Sequence, residues 1–141
     1  MNNGLAKNFE EMFGGLTTYA ATVEANRCLY CYDAPCIQAC PTSINIPSFI
    51  KKIASNNMKG SARVIMESNP VGASCARVCP TIELCEGACV LNSEEKPIQI
   101  GHLQRYATDW LRESNVKLFT PKPANGKKIA IIGSGPAGLS A

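Results

Sequence analysis

The chain has 141 residues, enough for one domain of ordinary size with little to spare. Its 14 basic and 11 acidic side chains leave a net charge of +3, too mild for a nucleic-acid binder, and no run of about 18 apolar residues offers a membrane span. Eight cysteines, in a chain whose first residues carry no apolar signal core, point to a reducing cytoplasm where thiols bind metal more often than they pair.

In chain order, residues 1–15 read as a lead with one short amphipathic turn, Leu5 to Phe13, closed by Gly14 and Gly15. Thr17 or Thr18 can cap a helix running to about Arg27, with Tyr19, Ala20 and Val23 forming its apolar face. That helix delivers the chain into Cys28-Leu29-Tyr30-Cys31, followed by Cys36 and Cys40-Pro41: four thiols within thirteen residues. Pro47 suits the first turn of the next helix, whose inward stripe is Phe49, Ile50, Ile53 and Ala54 and which Asn56-Asn57 ends. A further helix over about Lys59 to Ser68 buries Ala62, Ile65 and Met66 and stops before Pro70. Lys51, Lys52, Lys59 and Arg63 read as a solvated basic helix face. Residues 70–98 carry the second thiol group, Cys75, Cys79-Pro80, Cys85 and Cys89, in backbone expected to be irregular.

Ile100, Leu103, Ala107, Trp110 and Leu111 then recur at steps of three and four, predicting a helix over about Gln99 to Glu113 with Trp110 in the core. Gln104 falls inside that stripe. A buried amide needs a partner, and two readings stand: a hydrogen bond to nearby backbone, or an oxygen ligand to a metal centre. His102 lies off the stripe and reads as a surface residue.

Thr120 to Gly126, with two prolines and a glycine, reads as a linker. Lys128 to Ile132 is a short β-branched run expected to form a strand, and it leads into Gly133-Ser134-Gly135-Pro136-Ala137-Gly138 and the start of a helix. In that context Gly133, Gly135, Pro136, Ala137 and Gly138 are candidates to let a dinucleotide pyrophosphate approach a helix N-terminus. The acidic residue expected about 20 positions further on, for the ribose, lies beyond Ala141, so the stretch reads as the front of a larger flavoprotein.

For the cysteines, three chemistries compete. Iron–sulfur clusters are held by thiolates in runs of this kind, and a fourth cysteine followed by proline often serves a neighbouring cluster. Two structural zinc sites remain an alternative of a different class, a structural or interaction module, although zinc ribbons show paired short knuckles rather than a run of four. A disulfide scaffold suits neither the compartment nor a chain with ordinary apolar content. Clusters also fit the flavin motif, since one-electron carriers beside a two-electron flavin make redox sense.

Taken together, Cys28-x2-Cys31-x4-Cys36-x3-Cys40-Pro41, Ala76-Arg77-Val78-Cys79-Pro80, Cys85-Glu86-Gly87-x-Cys89 and the Gly-x-Gly-Pro-Ala-Gly start resemble the family of glutamate synthase small subunits and dihydropyrimidine dehydrogenases. Asp33-Ala34-Pro35-Cys36, Cys75 to Thr81, and Pro97-Ile98-x-Ile100-Gly101-x-Leu103-Gln104 are most similar to the bacterial flavin-bearing dihydropyrimidine dehydrogenase subunit. The resemblance implies that Cys28, Cys31, Cys36 and Cys89 hold one 4Fe–4S cluster and that Cys40, Cys79, Cys85 and Gln104 hold another. It leaves Cys75 as a packing cysteine. It also implies FAD and NAD(P)H in the full-length protein, and a partner subunit with FMN and iron–sulfur centres that reduces uracil or thymine. The alternative partner is a glutamate synthase large subunit, whose relatives carry Glu where this chain has Gln104. No catalytic residue is expected within residues 1–141. The expected fold class is all-α: a lead over 1–15, a helical cluster domain over 16–119, a linker over 120–126, and the first strand and helix start of an FAD domain over 127–141.

Overall fold

The computed structural model describes residues 7–9, 11–94 and 96–141. Among these the regular structure is helical, with no strand: α1 (Thr18–Asn26), α2 (Pro35–Gln38), α3 (Ile46–Ala54), α4 (Met58–Ser68), α5 (Gly72–Val78), α6 (Ile100–Ser114) and α7 (Pro136–Ser140). Two 3-10 turns, Lys7–Phe9 and Val90–Ser93, complete it. Of the amphipathic turn expected over Leu5 to Phe13, the first two residues and Glu10 lie outside the described residues.

Thr17 starts α1, its hydroxyl accepting from the Ala20 N–H at 3.2 Å. The buried face of α1 is Ala21, Glu24 and Ala25, whereas Tyr19 is 81 % exposed. The apolar face expected from Tyr19, Ala20 and Val23 therefore points away from the core. Residues two apart lie on nearly opposite sides of a helix, and the alanine side is the one that lets α1 approach α3 closely. Glu24 is buried there because its Oε1 accepts from Arg27 Nη1 at 2.9 Å and from the Gln99 N–H at 2.9 Å, which pins the entry to α6.

α3 and α4 form an antiparallel pair, each capped by asparagine: Asn45 Oδ1 accepts from Ser48 N–H at 3.1 Å and Asn57 Oδ1 from Gly60 N–H at 2.9 Å. Ile46, Phe49, Ile50 and Ile53 point inward from α3, with Met58, Ser61, Ala62 and Ile65 from α4. Met66, expected inside, is only half-buried. Ser61 donates its hydroxyl to the Phe49 carbonyl at 3.0 Å, a polar tie inside the pair.

The stretch after Pro70 is not wholly irregular. α5 occupies Gly72–Val78 and packs on α6. So short a helix is marginal by propensity and gains its stability from that packing, which sequence periodicity does not reveal. Gly72 permits the close approach of α5 to α4, since a Cβ there would lie 2.6 Å from Ile65 Cγ2. α6 buries Ile100, Leu103, Gln104, Ala107 and Thr108 and ends at Asn115, in the left-handed region at φ +52°. Trp110 is half-buried against the core rather than within it. His102, expected at the surface, is also half-buried, and its enclosed Nδ1 has no hydrogen-bond partner among the described residues.

Residues 120–132 run exposed and irregular. The strand expected over Lys128 to Ile132 is absent, because a strand needs a neighbour to bond, and here Ile132 is fully exposed.

A charge network ties α5 to α6. Arg77 Nη2 reaches both oxygens of Asp109 at 2.8 Å, Arg105 Nε reaches Oδ2 at 3.3 Å, and Glu11 pairs with both arginines. Burial alone would raise the Asp109 pKa, but hydrogen bonds and charge from Arg77, with Arg105 and Arg112, bring it below its ordinary 3.8. A depressed carboxylate stabilises the fold above its ordinary pKa and loses that contribution as pH falls through the lower folded value. Asp109→Asn should therefore destabilise by about 1 kcal/mol at neutral pH, given partial exposure and salt screening. The difference from wild type should shrink as pH falls below 3.8, read by thermal unfolding across a pH series.

Candidate metal centres

The eight cysteines are free thiols, and the fold gathers them into two groups. Cys28, Cys31, Cys36 and Cys89 line one cavity, walled otherwise by apolar side chains including Ile46, Ile50 and Ile98. Cys28 follows the last turn of α1, its N–H donating to Ala25 carbonyl at 3.3 Å. Tyr30 then turns the backbone at φ +53°. A bulky side chain there is costly, about 1–2 kcal/mol. Tyr30 is held by its own hydroxyl, which donates to the Ala25 carbonyl at 3.1 Å, and by Lys51, whose Nζ stands 4.5 Å from the ring centroid. Pro35 opens α2 and sets Cys36 in its first turn. Cys89 arrives from the far end of the chain, at the start of the 3-10 turn Val90–Ser93.

A second cavity is lined by Cys40, Cys75, Cys79, Cys85 and Gln104. Gln104 is buried on α6 and donates Nε2 to the Gly72 carbonyl at 2.8 Å. A carbonyl can only accept, so the amide is fixed with its nitrogen at Gly72, and Oε1 has no hydrogen-bond partner among the described residues. The backbone partner that one reading of Gln104 called for is present, and it leaves the oxygen unengaged. Cys75, expected as a packing cysteine, also lines this cavity. It sits on α5, half-buried rather than packed away, where Asn69 Nδ2 donates to its sulfur at 3.2 Å. Cys75 and Cys79 are four residues apart, a helical spacing that would have paired them had α5 been foreseen.

Two short segments cross between the cavities. α2 and the residue after its cap carry Cys36 into the first and Cys40 into the second, and the turn Cys85 to Cys89 serves the second with one end and the first with the other. Gly87, at the middle of that turn, lies so close to Ile82 that a Cβ would stand 2.0 Å from the Ile82 carbonyl oxygen.

Burial raises the pKa of Cys28, Cys36, Cys79 and Cys85 above the ordinary thiol value. Burial pushes Cys36 up to about 11, with the charges of Cys28 and Cys89 adding to it. Burial likewise pushes Cys85 up to about 12, with Glu86, Cys40 and Cys79 adding. The electrostatic neighbours thus divide along the same lines as the cavities. Among the described residues no three His, Cys, Asp or Glu side chains close on one point as a single metal ion requires. Thiols that wall a chamber suit a polynuclear group, and the donor chemistry fits a thiolate-bound iron–sulfur cluster.

At the C-terminal end, Gly133 adopts φ +112° and α7 opens with Pro136 in its first turn. A Cβ on Gly138 would meet the Gly133 carbonyl oxygen at 2.2 Å, so the turn needs its last glycine. Pro136, Ala137 and Ser140 share a cavity wall with Asn69, Val71 and Cys75.

The family model described as dihydropyrimidine dehydrogenase domain II, 4Fe–4S cluster, matches residues 5–116. The NAD-dependent dihydropyrimidine dehydrogenase subunit PreT homolog of Salmonella typhi, and PreT of Salmonella typhimurium and of Escherichia coli K12, are each 46 % identical to this chain over 132 residues. That stretch is 94 % of this chain and 32 % of each relative, so the chain spans about a third of the length of the curated relatives it matches. With the family model covering the helical body and both cysteine groups, the chain belongs to the 4Fe–4S domain II family of the dihydropyrimidine dehydrogenases.

Proposed function

We propose that this chain is an electron-transfer module holding two 4Fe–4S clusters, within an NAD(P)H-dependent flavoprotein that supplies electrons for pyrimidine reduction. The observation that carries the reading is the pair of donor-walled cavities, each assembled from segments far apart in the chain. Cys28, Cys31, Cys36 and Cys89 would hold one cluster and Cys40, Cys79, Cys85 and Gln104 Oε1 the other, each supplying one-electron storage and transfer beside a two-electron carrier.

The chain's own residues do the rest. The apolar walls of the first cavity exclude water, and the Gly72 carbonyl holds the Gln104 amide so that its oxygen is the end available. As a neutral donor in place of a thiolate, Gln104 would leave its centre one unit less negative than an all-cysteine one. Gly133, Gly135, Pro136, Ala137 and Gly138 would receive the FAD pyrophosphate, and Pro136 and Ala137 share a cavity wall with Cys75, which also lines the second cavity. In the whole protein, NADH or NADPH would reduce FAD, and a partner subunit with FMN and iron–sulfur centres would reduce uracil or thymine; the relatives' names support the NAD dependence and the dihydropyrimidine dehydrogenase activity of this reading.

Protein purified without oxygen should contain about eight irons and eight acid-labile sulfides per chain. Stoichiometric zinc without labile sulfide would reject the reading. The fourth ligand of the second centre is tested by a pair of variants. Gln104→Leu should lose or degrade one cluster while the helix persists, and Cys75→Ala should keep both. The reverse pattern would make Cys75 the ligand and Gln104 an ordinary buried amide.

A further inference from the structure

Resting on the reading that Cys28, Cys31, Cys36 and Cys89 hold a cluster, we propose that Lys51 is a positioning residue that raises the reduction potential of that centre through Tyr30. Lys51 follows Ile50 on α3, and Ile46, Pro47 and Ile50 of the same helix line the first cavity. Its ammonium stands 4.5 Å from the centroid of the Tyr30 ring. Tyr30 is flanked by Leu29 and Cys31 in the thiol loop and sits in the left-handed region that favours glycine.

The position asks for glycine and carries tyrosine. What tyrosine adds is a ring that accepts a cation on its face and a hydroxyl that anchors at the Ala25 carbonyl. Together they hold the loop and fix a positive charge beside it. The other charges flanking the loop are Arg27 and Asp33. Arg27 is paired with Glu24 at 2.9 Å, Asp33 is exposed to solvent, and among the described residues no charged side chain lines the cavity. The second cavity differs, since Glu86 adds negative charge to Cys79 and Cys85. A fixed cation favours the more negative, reduced state of a nearby centre, so its loss should make that centre harder to reduce. Lys51 is itself exposed, so its influence should fade as salt is added.

The test is an anaerobic redox titration followed by electron paramagnetic resonance on wild type, Lys51→Met, Lys51→Arg and Tyr30→Gly. The first centre's signal is assigned by its absence in Cys36→Ala. Lys51→Met keeps the apolar stem and should retain full iron with the first centre's potential shifted negative, the second unmoved, and the shift shrinking at high salt. Lys51→Arg should restore the wild-type value. Tyr30→Gly relieves the backbone but removes the platform, and should shift the first centre in the same direction as Lys51→Met. Full iron with an unchanged first potential in Lys51→Met would overturn the inference and leave the cluster reading intact. Wild-type protein without clusters would instead overturn that reading. Equal shifts at both centres, or a shift insensitive to salt, would show a structural disturbance and also overturn the role assigned to Lys51.

Discussion

Replacing Gly87 by alanine should cost the protein both centres at once, with iron falling from about eight per chain towards none. The added Cβ would stand 2.0 Å from the Ile82 carbonyl oxygen, and that atom is backbone, so nothing flexible can give way. The turn is also tied on both sides: the Glu86 N–H donates to the Thr81 carbonyl at 2.8 Å, and Asn92 Nδ2 donates to the Gly87 carbonyl at 3.1 Å. Moving Gly87 therefore moves Cys85 and Cys89 together, one from each cavity. Iron and sulfide analysis with circular dichroism checks the outcome. Loss of one centre only, or retention of both, would mean that the turn can open without disturbing its thiols.

Cys36→Ala should give a cleaner deficit, about four irons and four sulfides per chain, with the second centre's spectrum unchanged. Cys36 lines the first cavity alone, and the charges acting on it are those of Cys28 and Cys89. Its neighbour four residues on, Cys40, belongs to the other wall, so Cys40→Ala should produce the opposite deficit. Identical spectra from the two variants would show that the division of ligands is wrong.

Most of the helical body was legible in the sequence because its signals are local. Thr17 and Pro47 mark starts, and α3, α4 and α6 each carry one apolar stripe, although Asn57, read as an ending, caps the start of α4. α1 misled because both of its faces are moderately apolar, and the choice between them is made by how closely α3 approaches, a tertiary matter. α5 was invisible for a similar reason: seven residues between prolines have little propensity to show, and their order comes from α6. The strand expected over Lys128 to Ile132 is a case where local preference was read correctly as β-branched but pairing decides. The cysteine spacing located the stretches that line the two cavities. The placement of Cys75 on the second cavity depended on α5 and could not be seen without it.

The crossing of α2 and the Cys85–Cys89 turn between the cavities bears on how the protein is made. With the proposed ligands, the first centre would staple residue 28 to residue 89 and the second residue 40 to residue 104, so the two loops interlock rather than follow one another. A ribosome releasing this chain would have to deliver Cys89 before the first staple could close and the whole of the first loop before the second could. Each closure would then shorten the path still to be searched by the other, because the entropy lost in joining two points depends on the chain left free between them. Insertion of one centre should make insertion of the other easier, and a cell short of iron would accumulate empty and full molecules in preference to half-loaded ones.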